Sequence, residues 1–479
     1  MIDLSEPRTI VMLGTPFHDV TTSETLDRIA QIVKRRAPAY LVSANLDCAT
    51  QAADDLELQR ILIEAELVLC DNSPLVWASR LTGHPLRERV AISVLAQQLA
   101  SRAATEGWKI FLLGQGADSV NRARESLTAQ FPGAIISGTY ATPIAPLHEL
   151  NHAAIVANIK TTSPDILLVA FGCPKQEKWI HSHYRNIGVP CAIGVGDSFD
   201  FFAANVNPVQ KWARRIGFEW AIRLLQQPGQ QVGIYANDCR ILINQVLRER
   251  KAIRSNPSAA DASDAGVAGI ADNVEVLFWR GIVTDGSLCQ LSSPTYTKPF
   301  IIDMSQVSLV DSSGIGHILR TLRRAWAQGI SGCLAAPSDK VLSIFSMARL
   351  DRVLPTASSM AGAHDMIKRE QGGAILRPVV DVTDESMLLL LPPRIINDNA
   401  QNCATSAVTE WGKRPSLRIL RLDLASTTFI DSSGLGFLIR CQRMVAERKG
   451  ACMELLNIPP NVRNILKVSK LDKLLRLPD

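Results

Sequence analysis

The stretches LVDSSGIGHILR (309–320) and FIDSSGLGFLIR (429–440) are near-copies separated by 120 positions. The same offset pairs Asp303 with Asp423, Ser312 with Ser432, Gly316 with Gly436 and Arg320 with Arg440. One residue further out of step, LDRVL (350–354) matches LDKLL (471–475), and upstream VEVLFWRGIVTDG aligns with MLLLLPPRIINDN. A unit of this size present twice is a duplicated domain rather than a solenoid. Each copy reads as two early strands, a strand ending at Asp-Ser-Ser, a helix starting at the glycines, then another strand and helix. EQGGA, near Gly372, separates them, giving two small α/β domains at 273–370 and 376–479.

Ahead of the repeat, SNPSAADASDAGVAGIADN (255–273) holds almost no large apolar residue, and 253–272 reads as a flexible linker. A chain of 479 residues exceeds one ordinary core, so residues 1–252 form a domain of their own. Here TIVMLG, AYLVSAN, ELVLCD, KIFLLG, AIISGT, DILLVAFG and PCAIGVG read as strands. SETLDRIAQIVKRR, DLELQRILIEA and SVLAQQLASRAATEG between them have helical spacing. Continuous apolar strands alternating with helices predict a Rossmann-like parallel sheet covered on both faces. Ligands of such sheets bind at the carboxyl ends of the strands.

Composition removes several classes of function. A net charge of +5 with interspersed signs, and 5% aromatic residues, do not suit a nucleic-acid partner. The ten cysteines include no C-x-x-C pair and read as reduced, buried thiols of a cytoplasmic protein. The N-terminus lacks the pattern of a signal peptide, and no apolar run approaches the roughly 20 residues that span a bilayer. Any membrane association is therefore peripheral. NDCRILINQVLRERKAIR (237–254) reads as a basic amphipathic helix suited to an anionic membrane surface, with packing on the domain under a solvated basic face as the lesser alternative.

The strand ends of the first domain carry the chemistry. Ser43, Asn45 and Asp47 follow AYLV, and Asp71 follows ELVLC. An Asp fixed by a strand is well placed as a general base, although capping the helix near Pro74 explains it equally well. Gly114 and Gly116 precede a helix in the layout of a phosphate loop. Lys175 and Gln176 open the helix after DILLVAFGCP, where a lysine and free N–H groups meet a phosphate. Gly196 precedes Asp197 and Asp200 in a further glycine turn. His181 and His183, two apart, point to different helix faces and form no metal pair; no metal or other cofactor is indicated.

SANLDCATQAADDLELQRILIEAELVLCDNSPLVWASRLTGHPLRERVA, LLVAFGCPKQEKWI, GVGDSFDFFAANV and RRIGFEWAIRLLQQP together resemble the WecG/TagA/CpsF glycosyltransferases over about residues 8–235. The resemblance implies inverting transfer of a sugar from a UDP-sugar to a lipid-pyrophosphate-linked saccharide, in capsule, exopolysaccharide or other envelope polysaccharide synthesis. It implies Asp71 as catalytic base, Ser43 and Asn45 at the active-site strand end, Gln176 in the pocket and Arg89 as a nearby basic residue. The chain departs from the family at Asn72, where glycine is usual, at Asp197, and in NVNPVQKW, where arginines are usual. These departures keep a second reading open, in which an inactive transferase domain senses a nucleotide sugar.

Neither copy of the repeat has a G-x-S-x-G elbow, and His317 is replaced by Phe437 in the second copy, which argues against a shared Ser–His mechanism. Asp-Ser-Ser-Gly between strand and helix instead resembles the STAS domain of anti-sigma factor antagonists. That resemblance implies Ser312 and Ser432 as phosphorylation sites, with a kinase or anti-sigma-like protein as partner. The alternative is that each serine only helps start its helix.

Overall fold

The computed structural model describes residues 7–196, 199, 202, 240–243, 264–271, 274–284, 298–328, 330–351, 353–373, 379–382, 385–391, 394–395, 397–425, 427, 429–469, 471 and 475. Residues Met1–His364 form one compact unit and Asp365–Asp479 another.

The chain begins with β1 (Thr9–Met12) and β2 (Thr15–His18), followed by α1 (Thr22–Arg35), β3 (Ala39–Ala44), α2 (Leu46–Asp54), α3 (Leu56–Glu64), β4 (Leu67–Cys70) and α4 (Ser73–Leu81). It continues through α5 (Ile92–Glu106), β5 (Lys109–Gln115), α6 (Ala117–Gln130), β6 (Ile135–Thr142), α7 (His152–Thr162), β7 (Ile166–Ala170), α8 (Lys175–His183) and β8 (Cys191–Gly194). Six strands form a parallel sheet in the order β4-β3-β8-β7-β5-β6. Alternate residues face opposite sides, as the pleat requires. Val42, Val68, Leu113, Leu167 and Val169 pack with Leu58, Leu62 and Trp179 of α3 and α8. Leu41, Leu69, Leu112, Leu168 and Ile193 pack with Ile29, Leu95, Leu99 and Val120 of α1, α5 and α6. Both faces are therefore apolar cores, which is why these strands read as unbroken hydrophobic runs.

TIVMLG does not join this sheet. Leu13 and Gly14 take φ of 53° and 72°, and Met12 pairs with Thr15 in an antiparallel hairpin. Positive φ at both central residues is the geometry that two-residue hairpin turns need.

The first repeat copy holds β9 (Asp264–Ala271), β10 (Val274–Val283), β11 (Phe300–Val310), α9 (Ser312–Ala327), β12 (Gly332–Ala335), α10 (Asp339–Met347), β13 (Thr356–Ala357) and α11 (Met360–Gly373), with strand order β13-β12-β11-β10-β9. Strand β9 corrects the linker reading: residues 264–271 pair antiparallel with β10 at the sheet edge. An edge strand is ordered by the backbone donors and acceptors of one neighbour, so the shortage of large apolar side chains did not exclude it. Residues 253–263 lie outside the described residues. This copy is also not set apart from the N-terminal domain. Both belong to the first unit, and Val11 and Ile63 are buried in the same cluster as Leu277, Phe300 and Ile318.

The second unit repeats the arrangement with β14 (Val379–Val382), β15 (Ser386–Leu390), β16 (Arg394–Ile395), α12 (Asn397–Lys413), β17 (Ile419–Asp423), β18 (Phe429–Ile430), α13 (Ser432–Ala446), β19 (Cys452–Leu456) and α14 (Pro460–Val468). Its main sheet runs β14-β15-β17-β19, with the first pair antiparallel and the others parallel, as in the first copy. Asp311 and Asp431 cap α9 and α13, accepting from the N–H of Gly314 at 2.7 Å and Gly434 at 2.8 Å. A Cβ at Gly314 would lie 2.2 Å from the Val283 carbonyl oxygen, and one at Gly434 2.6 Å from that of Ile395. The shared motif is thus an aspartate cap plus a glycine that lets the helix start against a strand backbone.

His18 ends β2 with 5% exposure, and its Nδ1 accepts the Val68 N–H at 2.9 Å. Burial, then the charges of Arg323 and Arg320, lower its pKa from 6.5 to about 3. The folded chain therefore keeps His18 neutral while the unfolded chain takes up a proton below about 6.5. Stability should fall as pH drops from the unfolded value towards the folded one, with this residue contributing a loss of about 1.4 kcal/mol between roughly pH 7.5 and pH 5.5. Denaturant unfolding at both pH values should show that slope, and His18→Gln should reduce it; an unchanged slope would remove His18 as its source.

Candidate functional site

Strand β3 lies beside β8, although the chain passes from β3 outwards to β4 and reaches β8 only after building the other half of the sheet. This reversal opens a crevice at the carboxyl edge. Asp71 follows β4 at that edge. Its Oδ1 accepts from Arg89 Nη2 at 3.1 Å and its Oδ2 from Ser43 Oγ at 3.4 Å. Asn72, not Asp71, holds the N-cap position of α4, and its side chain accepts no cap hydrogen bond. The carboxylate is oriented by a guanidinium and a hydroxyl instead. Its side chain is 17% exposed and that of Arg89 15%, so the pair is sheltered yet reachable.

Asn45 caps α2, accepting the Cys48 N–H at 2.8 Å, which leaves its –NH2 end for a ligand. Arg89 belongs to a loop pinned on both sides. Val90 N–H donates to Cys70 O at 3.0 Å, Glu88 accepts from Thr22 N–H at 3.3 Å, and Arg87 pairs with Asp19 at 3.3 Å and Glu24 at 2.7 Å.

Lys175 opens α8, where its Nζ donates to Ala145 O and lies 5.1 Å from the Phe171 ring centroid. Desolvation lowers its pKa. Gln176 lies beneath the edge rather than on it, at 2% exposure. Its Oε1 accepts the Gly196 N–H at 3.1 Å and its Nε2 donates to Glu177 Oε1 at 2.8 Å. A Cβ at Gly194 would stand 2.8 Å from that Nε2, so the glycine makes room for the amide. Gly196 has φ of 108° and its carbonyl accepts from Gly172 N–H at 2.9 Å, tying the turns after β7 and β8 together. Gly114 is a packing residue, because a Cβ there would meet Val120 at 2.8 Å and Phe199 at 2.9 Å. Gly116, at φ 74°, starts α6 with open space on its Cβ side. Asp197 and Asp200 lie outside the described residues.

Two features were not among the expected site residues. Asn72, beside Asp71, is 7% exposed and its Oδ1 has no hydrogen-bond partner. Its one signal in the sequence was the departure from glycine. Donor atoms of Cys48, Cys173 and Glu177 lie within 4.8 Å of one another, from the first turn of α2, the β7–α8 turn and the first turn of α8, and are able to hold a cation. Burial pushes the Glu177 carboxyl up, and its Oε2 lacks a hydrogen-bond partner. The wide sequence separation of the two cysteines conceals this group. His181 and His183 do diverge: His181 Nε2 meets Glu64 at 2.9 Å, while the His183 ring lies 4.9 Å from that of Trp179.

Ser312 starts α9 at 4% exposure with no hydrogen-bond partner for its Oγ; Ser432 starts α13. Of the basic stretch 237–254, residues 240–243 are helical and the others lie outside the described residues. Among the described residues no helix is long and apolar enough to cross a membrane.

The profile of the Glycosyl transferase WecG/TagA/CpsF family matches residues 10–256, and that of the STAS domain matches 236–363 and 378–478. Three similar proteins are N-acetylglucosaminyldiphosphoundecaprenol N-acetyl-beta-D-mannosaminyltransferases. The one from Bacillus spizizenii is 29% identical over 192 residues, which is 40% of this chain and 73% of the relative. That of Bacillus subtilis is 28% identical over 196 residues, covering 41% and 75%. That of Staphylococcus aureus strain NCTC 8325 is 25% identical over 216 residues, covering 45% and 83%.

The geometry makes Gln176 a positioning residue. Gln176→Ala should destabilise the full chain by about 1–3 kcal/mol in denaturant unfolding, because a buried N–H and a buried carboxyl each lose a partner. Unchanged stability with weaker substrate binding would return it to the ligand-contacting set.

Proposed function

Because this chain belongs to the WecG/TagA/CpsF glycosyl transferase family, we propose that it moves a hexose or N-acetylhexosamine from a UDP-sugar to a polyprenyl-pyrophosphate-linked saccharide, inverting the anomeric centre. The names of the relatives support a lipid-diphosphate acceptor and an N-acetylhexosamine. The observation that carries the reading is the Asp71 carboxylate, held at the sheet edge by Arg89 and Ser43 and not used as a cap.

The acceptor hydroxyl oxygen bonds to the anomeric carbon of the donor as Asp71 takes the hydroxyl proton. The bond from that carbon to the diphosphate oxygen breaks, and UDP leaves with the electron pair. Negative charge then grows on the diphosphate, where Lys175 and the N-terminal amides of α8 offer positive potential. Gly116 lets the backbone approach the ligand without a side chain, and the –NH2 of Asn45 is a donor for a sugar or phosphate oxygen. No step is assigned to a resident metal or cofactor. The lipid acceptor places the work at the inner face of the plasma membrane, with the stretch 237–254 as the candidate contact with anionic lipid. The two STAS modules serve as docking or regulatory elements, with Ser312 and Ser432 as their candidate phosphorylation sites. The intact Asp71–Arg89–Ser43 arrangement favours an active enzyme over a nucleotide-sugar sensor.

Asp71→Asn keeps the size of the side chain and removes the base. Turnover of UDP-sugar onto a lipid-linked saccharide should fall at least about 100-fold while UDP binding, measured by calorimetry, is retained. A variant with near-parent turnover would end the assignment.

A further inference from the structure

We infer that the Asp-Ser-Ser-Gly face of the first STAS module is a docking surface whose partner is the transferase domain of the same chain, and that this docking holds the loop presenting Arg89 to Asp71. The second half of the inference rests on the reading of Asp71 as the base.

The contact is built from several independent pieces. Val11 of β1 and Ile63 of α3 are buried in one cluster with Ile315, Ile318 and Leu322 of α9. A Cβ at Gly316 would stand 2.1 Å from the carbonyl oxygen of Thr9, so α9 lies directly on the backbone of β1. Arg323 of α9 donates to the carbonyls of Ala65 at 2.8 Å and Glu66 at 3.2 Å, beyond the end of α3. Gln59, fully buried, donates to Arg349 O at 2.7 Å, and Arg349 reaches Asp54 at 2.7 Å. Gln59 is fully buried and Arg323 largely so, and both find their partners across this contact, so the docked state leaves these donors hydrogen-bonded, while the exposed Arg349–Asp54 pair adds little.

The second repeat copy supplies an internal control. Gly436 occupies the position of Gly316, yet a Cβ there would meet nothing within 4 Å. The fold of the module therefore does not demand a glycine at this point of its helix. In the first copy the demand comes from β1.

The coupling runs through Asp311, the cap of α9. Its Oδ2 lies 3.2 Å from His84 Nε2, and Arg8 donates to His84 Nδ1 at 2.8 Å. Burial raises the Asp311 carboxyl pKa, but hydrogen bonds from His84, Gly314 N–H and Ser313 outweigh it and hold the group below its ordinary range. His84 heads the loop that ends in Arg89 and Val90. Of the other anchors of that loop, which include Cys70 and Glu24, Asp19 and Thr22 follow the β1–β2 hairpin, the first strand of which lies under α9. Asp311 is thus a positioning residue, acting on Asp71 by way of the His84–Arg89 loop.

Amide hydrogen exchange on the full chain tests this without depending on turnover. Alanine is intrinsically favoured over glycine inside a helix by about 1 kcal/mol, so any loosening by Gly316→Ala comes from the contact with β1. Gly316→Ala should speed exchange at least tenfold in peptides covering 9–12 and 84–91, with 166–170 in the sheet unchanged, whereas Gly436→Ala should match the parent throughout. Unchanged exchange in Gly316→Ala would overturn the docking. Should that variant fail to fold, Asp311→Ser decides the coupling: serine still caps a helix but is too short to reach His84. Faster exchange at 84–91 with α9 still protected supports the coupling, and unchanged exchange there overturns it. Sugar transfer by these variants should fall in step with the loop exchange; full turnover with a loosened loop would also overturn the positioning role. A parent chain that docks as described but transfers no sugar would sink the proposed function alone.

Discussion

A parallel strand buried on both faces cannot be followed by a tight turn back to its neighbour. The chain must cross over the sheet, usually through a helix, before the next strand can pair. Once the first domain commits to six such strands, every carboxyl end falls on one edge and a helix N-terminus follows close behind. The candidate site depends on this constraint. Asp71, the Ser43–Asn45 pair and Lys175 come from three separate stretches of sequence and share no local motif. They fall on one edge because β4, β3 and β7 all end there. The neighbouring turns can then be specialised one at a time, as with Gly196 around the amide of Gln176.

Much of this was legible in the sequence for the same physical reason. Strands with two apolar faces leave unbroken hydrophobic runs, and the run before Asp71 located that carboxylate at an edge. What the runs do not carry is the partner of each polar atom. Asp71 followed by Asn72 and Ser73 reads equally as a cap or a base, whereas the fold gives the N-cap position to Asn72 and gives Asp71 the contacts with Arg89 and Ser43. Gln176 follows a lysine at a helix start, which suggested a ligand contact, but its neighbours Gly194 and Gly196 arrive from another strand and absorb it. The Cys48–Cys173–Glu177 group was hidden by the same non-locality. The two misread backbone segments have local causes. TIVMLG does form a strand, but its Leu-Gly turn folds it into a hairpin outside the sheet, and 264–271 lacks apolar side chains yet is held as an edge strand by its backbone.

The duplication allows the demands of a fold to be separated from the demands of a partner. Gly314 and Gly434 are both required, because in each copy the helix starts against a strand of its own module. Gly316 and Gly436 are identical in sequence and differ in physical status, since only the first has a foreign backbone at van der Waals distance. Likewise Asp311 and Asp431 both cap a helix, but Asp311 has in addition acquired the His84 contact outside its module. In the proposed mechanism the repeat that invited a search for a second active site supplies none of the reacting groups. Its first copy contributes a surface that packs on β1 and α3 and reaches His84 through Asp311. With Asp71 as the proposed base, that surface gives the loop carrying Arg89 its fixed place, and a substitution on the motif face of the first module acts by loosening that loop, whereas the same substitution in the second module has no such route through this contact.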